Sequence, residues 1–336
     1  MQVIKRKIGN VGGKDVFSLD LLNDNLKVSV STFGAIITAV HMPDKTGNRS
    51  NVVLNYSSLE EYIKDPFYLG CTAGRFAGRI SKGKFTIDEK TYQLHRNDSS
   101  TGNHLHGGLD GFNRKVFSLM DQSCTDTSAK VCLHLKSPDM DQGYPGNLNV
   151  WVTFELNVDN SLLIRYEAST DAPTHVNLTN HSYFNLNGLP GKALKQKLFI
   201  NADKCLKTDQ NYIPTGETQE VKGTINDFSS LKEISAAPAA GHPGYNVCYV
   251  LKTGKQLADA ILFDEQTGRR MEVITSLPGM VFYSGNFLDG IFNKSAGICL
   301  ETQYFPDTPN RPEFPDTLLR PEGRYDHYTL YRFSWG

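Results

Sequence analysis

The chain has 336 residues, 39% hydrophobic and 10% aromatic, enough for a large core and too apolar to remain disordered. Its 35 Lys and Arg balance 36 Asp and Glu, and no basic stripe is visible, which removes the electrostatic reason to bind nucleic acid or an anionic membrane surface. No stretch approaches a membrane span and the N-terminal MQVIKRKIGNVGGKD has no apolar run after its basic residues, so a cytoplasmic protein acting on a small neutral molecule is expected.

In chain order, VFSLDLLNDNLKVSVSTFGAIITAVHMPD predicts at least two strands. SSLEEYIKD, with Ser58 and Glu61 in capping-box spacing ahead of Tyr62 and Ile63, predicts a short helix. GRFAGRISKGKF brings Arg75 and Arg79, four apart; each reads either as a surface charge or as a fixed donor to ligand hydroxyls or a carboxylate. GKFTIDEKTYQLHRN reads as a hairpin, with Phe85 and Ile87 before an Asp88-Glu89 turn and Tyr92 and Leu94 after it.

GNHLHGGLDGF carries His104 and His106, which would share a face on a strand and have a spacing that a metal site could use. The Gly-Gly that follows predicts irregular backbone, and no second His or Cys cluster supplies further ligands. No metal is expected; a hydrogen-bonding role for one histidine is preferred, the glycines letting backbone approach a ligand.

LNVWVTFELNVDNSLLIRYEAS is the clearest hairpin: Leu148, Val150, Val152, Phe154, Leu156 and Val158 alternate with polar positions, Asp159-Asn160 turns the chain, and Leu162, Ile164 and Tyr166 resume the period of two. LTNHSYFNL then reads as a strand projecting Asn177, Thr179, His181, Tyr183 and Asn185 to one side. That set is the wall of a wet cleft or a solvated outer face; the pattern alone does not choose. In GICLETQYFPD, Glu301 follows Ile298, Cys299 and Leu300. A carboxylate entering from an apolar run is either a strand-end charge facing solvent or a partly buried group whose pKa rises toward base duty. The five prolines between Pro306 and Pro321 predict a rigid loop packed over one end of a sheet.

The six cysteines are scattered without a CxxC pair, so buried free thiols are expected. No GxGxxG or phosphate loop appears and no series of long helices alternates with strands, which excludes a nucleotide cofactor bound on a parallel α/β sheet. The expectation is one domain spanning residues 1–336, all-β and predominantly antiparallel.

Taken together and in order, STFGAIITAV, GRFAGRISKGKF, NHLHGG with LDGFNRKVF, QGYPGNLNVWVTF, PTHVNLTNHSYFNLNG, PGMVFYSGNFLDG, GICLETQYFPD and LLRPEGRYDH resemble the galactose mutarotase, or aldose 1-epimerase, family along nearly the whole chain. The resemblance implies a large twisted antiparallel β-sandwich (the galactose mutarotase-like supersandwich) with few short helices, an open sugar cleft and no cofactor or metal. It implies an isomerase: Glu301 as general base on the C1 hydroxyl, His181 as general acid on the ring oxygen, the two on opposite sides of the pyranose. His181 is then expected to titrate near neutrality. His106 and Arg79 match residues that hold sugar hydroxyls, and Tyr183, Asn246, Gly78 and Val281 complete the expected substrate-binding set.

Three positions depart from the family pattern. Gly78 stands where Asn usually precedes the arginine, Asn246 where an aspartate usually stands, and Val281 where a glutamine usually lines the pocket. The acid–base pair is kept while part of the polar grip is gone, so two substrates are in view: a hexose such as galactose or glucose, or a less polar small molecule turned over by the same pair. A sugar-binding protein without turnover is the third reading, against which the retained pair counts. A monomer or weak dimer is expected.

Overall fold

The computed structural model describes residues 1–188, 191, 193–234, 244–252 and 258–336. Among these, antiparallel strands form one nine-stranded sheet, two five-stranded sheets and several two-stranded ribbons. The middle of the large sheet runs Leu148–Asn157, Ser161–Thr170, Tyr325–Trp335 and Arg269–Thr275 side by side. One smaller sheet is built from the N-terminal strands and the other from strands between Lys204 and Gln303. The expected β-sandwich class is observed.

The alternation in the central hairpin is what fixes its face. Val150, Val152, Phe154 and Leu156 are fully buried, as are Leu162, Ile164 and Tyr166 across the ladder. Burying each apolar side chain stabilises by roughly 1.5–3 kcal/mol, so a one-residue slip that turned them all outward is strongly disfavoured. Val158, expected to continue the apolar face, instead sits in the turn and is 52% exposed. These residues share one core with Leu19, Val28 and Val40 of the N-terminal sheet and with Tyr249, Phe282 and Leu300 of the third sheet, which joins all three sheets around one apolar interior.

Local elements follow their sequence signals. The helix Leu59–Lys64 has Ser58 Oγ accepting from Glu61 N and the Glu61 carboxylate accepting from Ser58 N, and it buries Leu59 and Tyr62. Asp88 and Glu89 both have positive φ, 47° and 66°, as a two-residue hairpin turn between Lys84–Ile87 and Lys90–Gln93 demands. The proline-rich segment is more than a covering loop: Asp307 N donates to Arg79 O and its carboxylate accepts from Ser81 N, anchoring the segment to the Arg79 strand. Cys71, Cys205, Cys248 and Cys299 are buried free thiols as expected, whereas Cys124 is exposed and Cys132 half-buried.

Arg75 is a framework donor. Its guanidinium is buried and donates to the carbonyls of Ser137, Pro138, Pro145 and Gly146 and to the hydroxyls of Ser137 and Thr174. Nη1 and Nη2 meet loop carbonyls that would otherwise be buried without partners, while Nε makes no hydrogen bond.

Candidate active site

The floor of the site is a lesson in register. Asn246–Val250 pairs antiparallel with Gly279–Tyr283, which pairs antiparallel with Cys299–Gln303, so Cys248, Val281 and Glu301 lie directly opposite one another in one row. The flanking rows on the same face are Asn246, Tyr283 and Cys299, and Val250, Gly279 and Gln303. The reverse face carries Tyr249, Met280, Phe282 and Leu300 into the main core. Glu301 therefore points neither to solvent nor into that core but into the cavity above the sheet.

His181 enters from the facing wall. Only Thr179–Asn180 of LTNHSYFNL pairs as a strand, with Thr72–Ala73; beyond it the backbone is irregular, and His181 N donates to Cys71 O at 2.8 Å while its carbonyl accepts from Gly70 N at 2.9 Å. The predicted polar face is accordingly divided. Asn177 bonds the carbonyl of Ala77 and the N–H of Tyr304, Asn185 bonds the carbonyl of Ala296, and His181 and Tyr183 line the cavity. The Tyr183 hydroxyl donates to Phe67 O, which leaves its ring as the surface offered to a ligand.

His104 and His106 do not share a face. His104 is turned inward, Nδ1 on the His95 carbonyl and Nε2 on the Tyr144 hydroxyl. His106 has φ 48° and faces the cavity, with Nδ1 accepting from Gly78 N at 3.2 Å. Gly107, φ 89°, makes this turn possible: a Cβ there would lie 1.8 Å from the Gly74 carbonyl oxygen. Arg79 pairs with Leu105 across a two-residue ribbon, is fixed by Nε to Asp98 at 2.9 Å, and lies over the Tyr212 ring.

These elements bring three side chains together. His181 Nε2 is 3.6 Å from Glu301 Oε1, and donor atoms of His106, His181 and Glu301 all lie within 4.8 Å of one another. All three are buried. The set could hold a metal ion by spacing, with His181 and Glu301 supplying the further donors that the sequence around His104 and His106 lacked. His104 takes no part in it.

Burial dominates the electrostatics. It pushes Glu301 up to about 8, against the pull of Arg79, and His181 down to about 4. The expectation that His181 titrates near neutrality fails for this reason: a fully enclosed imidazolium loses its hydration. His106 is held well below its usual value by burial, then by His181 and Arg79. Between about pH 4 and 8 Glu301 and His181 thus carry one proton between them. The Cys299 sulfur lies 3.6 Å from His181 Nδ1, so a ring proton on Nδ1 directed at that sulfur leaves Nε2, facing Glu301, free to accept the shared proton.

A buried carboxyl and a buried imidazole sharing a proton above a cleft is an acid–base site, and comparison with known proteins gives its family. The aldose 1-epimerase family pattern matches residues 18–332. The chain belongs to the aldose 1-epimerase family. It is 39% identical over 334 residues to human galactose mutarotase, covering 96% of this chain and 95% of that one, and 35% identical over 328 residues to an Escherichia coli K12 aldose 1-epimerase, covering 93% of each. Among solved structures it resembles a galactose 1-epimerase from Lactobacillus acidophilus NCFM, at 31% identity and TM-score 0.89 over 100% of this chain and 99% of that one. A GalM/aldose epimerase homologue from C. elegans superposes with TM-score 0.88 at 27% identity, over 99% of both chains.

As a member of this family the protein is an isomerase. Every site residue expected from the sequence lines its cavity: Glu301, Arg79, His106 and Asn246 run through it, His181 and Tyr183 stand at one side, and Gly78 and Val281 at the other. Sequence reading missed Tyr68, whose ring lies 4.7 Å from that of His106, and also Tyr283, Cys248, Pro306 and Gln303. Cys248 and Gln303 were within reach of the period of two, sitting two residues from Asn246 and Glu301 on the same strand faces. Tyr68 lies in a loop at φ 57° and carries no periodic signal.

Proposed function

We propose that the protein is a mutarotase that interconverts the α- and β-anomers of hexoses such as galactose or glucose, with Glu301 and His181 as its proton-transfer pair. The observation that carries this reading is the 3.6 Å approach of His181 Nε2 to Glu301 Oε1, both of them buried at the cavity. Groups so close do not straddle a pyranose from opposite sides, as the sequence reading had it. They suit two oxygens on one carbon: the C1 hydroxyl and the ring oxygen, both bonded to C1.

Glu301 takes the proton of the C1 hydroxyl while His181 gives a proton to the ring oxygen. The bond between C1 and the ring oxygen breaks, C1 becomes the aldehyde carbon, and the former ring oxygen becomes a hydroxyl. Rotation about C1–C2 and reclosure on the other face, with both proton transfers reversed, give the other anomer. The pair starts and ends with one proton, so no net proton enters or leaves. Before sugar binds, that proton rests on Glu301; the sugar's hydroxyls, solvating the charged pair, favour its transfer to His181 Nε2.

Arg79 and His106 serve as hydroxyl donors, Arg79 already oriented by Asp98 and His106 by Gly78 N–H. The rings of Tyr183, Tyr68 and Tyr283 offer apolar faces to the sugar's C–H groups. Asn246 keeps hydrogen-bonding capacity without charge, Gly78 offers backbone alone, and Val281 none. The presence of Val281, Cys248, Pro306 and Leu105 on the same cavity supports a second reading, in which the pair acts on a less hydroxylated cyclic hemiacetal. The reaction as drawn uses no cofactor or metal ion. We further assign the activity to one aldose 1-epimerase-like domain spanning 1–336, working in the cytoplasm as a monomer or weak dimer; no helix among the described residues is long and apolar enough to cross a membrane.

Proton exchange NMR tests the proposal. With enzyme added, cross-peaks should connect the α and β anomeric protons of galactose or glucose at mixing times where buffer shows none. Their absence for every aldose tried would exclude this reading and leave the second reading and sugar binding without turnover.

A further inference from the structure

Gln303 is fully buried, yet neither Nε2 nor Oε1 of its side-chain amide has a hydrogen-bond partner. Buried amides are rarely left so, and a primary amide with both ends free calls for an explanation. Its strand position fixes where it looks. Two residues beyond Glu301 on the same face, Gln303 lines the same cavity.

Its neighbours there have nothing to offer. Gly279, its cross-strand partner, has no side chain, and Val281 and Pro306 have no polar side-chain atoms. Gly78 brings no side chain to it: a Cβ at that position would stand 3.5 Å from Nε2. The unpartnered amide thus sits in the wall of the cavity that also holds Glu301.

We propose that the Gln303 amide grips the two neighbouring hydroxyls on C2 and C3 of the sugar and so selects aldoses that carry both. This rests on the mutarotase reading, with the C1 hydroxyl at Glu301 and the ring oxygen at His181. C1 has two ring neighbours, the ring oxygen and C2. His181 stands with Tyr183, Tyr283 and Phe287 on one side of Glu301, while Gln303 stands with Gly78, Cys248 and Val281 on the other. Turning the ring oxygen toward His181 therefore carries C2 and C3 toward Gln303. A planar amide presents an acceptor and a donor side by side; one hydroxyl donates to Oε1 and its neighbour accepts from Nε2. The grip replaces polar contacts that Val281 and Gly78 do not supply.

The test compares D-glucose with 2-deoxy-D-glucose as substrates of the wild type and Gln303→Leu. Two hydrogen bonds, each worth several-fold, predict that Gln303→Leu raises KM for glucose about tenfold and for 2-deoxyglucose about threefold, with the change in KM and not in kcat. Equal changes for both sugars, or a loss confined to kcat, would overturn the inference. If the wild type accelerates neither sugar, the mutarotase reading fails, and saturation-transfer NMR then decides the inference separately: a glucose preference in binding that Gln303→Leu abolishes supports it, and no preference overturns it.

Discussion

His181 Nε2 and Glu301 Oε1 lie 3.6 Å apart at the junction of an irregular loop and a regular strand, each buried and each pushed by burial toward its neutral form. The pair is poised to trade a single proton.

The pH dependence follows from that proton count. As pH rises through about 8 the pair loses its proton and His181 has none to give; as pH falls through about 4 both groups are protonated and Glu301 cannot accept. A plot of kcat/KM against pH should be a bell with its plateau between these limits. A single limb near pH 6.5 would show that His181 titrates as if solvated.

Replacing His181 by Asn keeps a polar group of similar size and removes the proton donor to the ring oxygen. The turnover rate should fall by roughly 10²–10⁴ while sugar affinity changes little. Near-normal kcat in this variant would remove His181 from the chemistry.

The double substitution Val281→Gln with Asn246→Asp should lower KM for galactose. Both positions line the cavity, and each restored hydroxyl partner is worth about 0.5–1.5 kcal/mol. An unchanged KM would mean that these positions do not touch the sugar.

Arg75→Met probes the framework alone. Removing the guanidinium strands the buried carbonyls of Ser137, Pro138, Pro145 and Gly146, and urea denaturation should show a loss of at least about 2 kcal/mol. The folded fraction should keep its KM, because Arg75 does not line the cavity.

The strands were legible because their burial alternates. Leu148 to Leu156 and Leu162 to Tyr166 have one dry face each, and the period of two reports that directly. The site was less legible. His181 sits in irregular backbone held by Cys71 and Gly70, so strand geometry wrongly placed Asn177 and Asn185 on one face with it. Arg75 and Arg79 look equivalent in GRFAGRI, yet one supports loop carbonyls and the other faces the cavity; long-range partners made that difference, and sequence spacing does not encode them. Glu301 was read by resemblance, and its physical reason is the register that sets it opposite Val281 and Cys248.

The account stands most directly on Glu301. Polarimetry of freshly dissolved α-D-galactose and α-D-glucose, with wild type and Glu301→Gln at matched concentration and confirmed folding, compares their approach to equilibrium with that in buffer. The account predicts that the wild type is much faster than buffer on at least one sugar and that Glu301→Gln loses roughly 10²–10⁴ of that acceleration. Equal acceleration by wild type and variant, or none by the wild type, would contradict it.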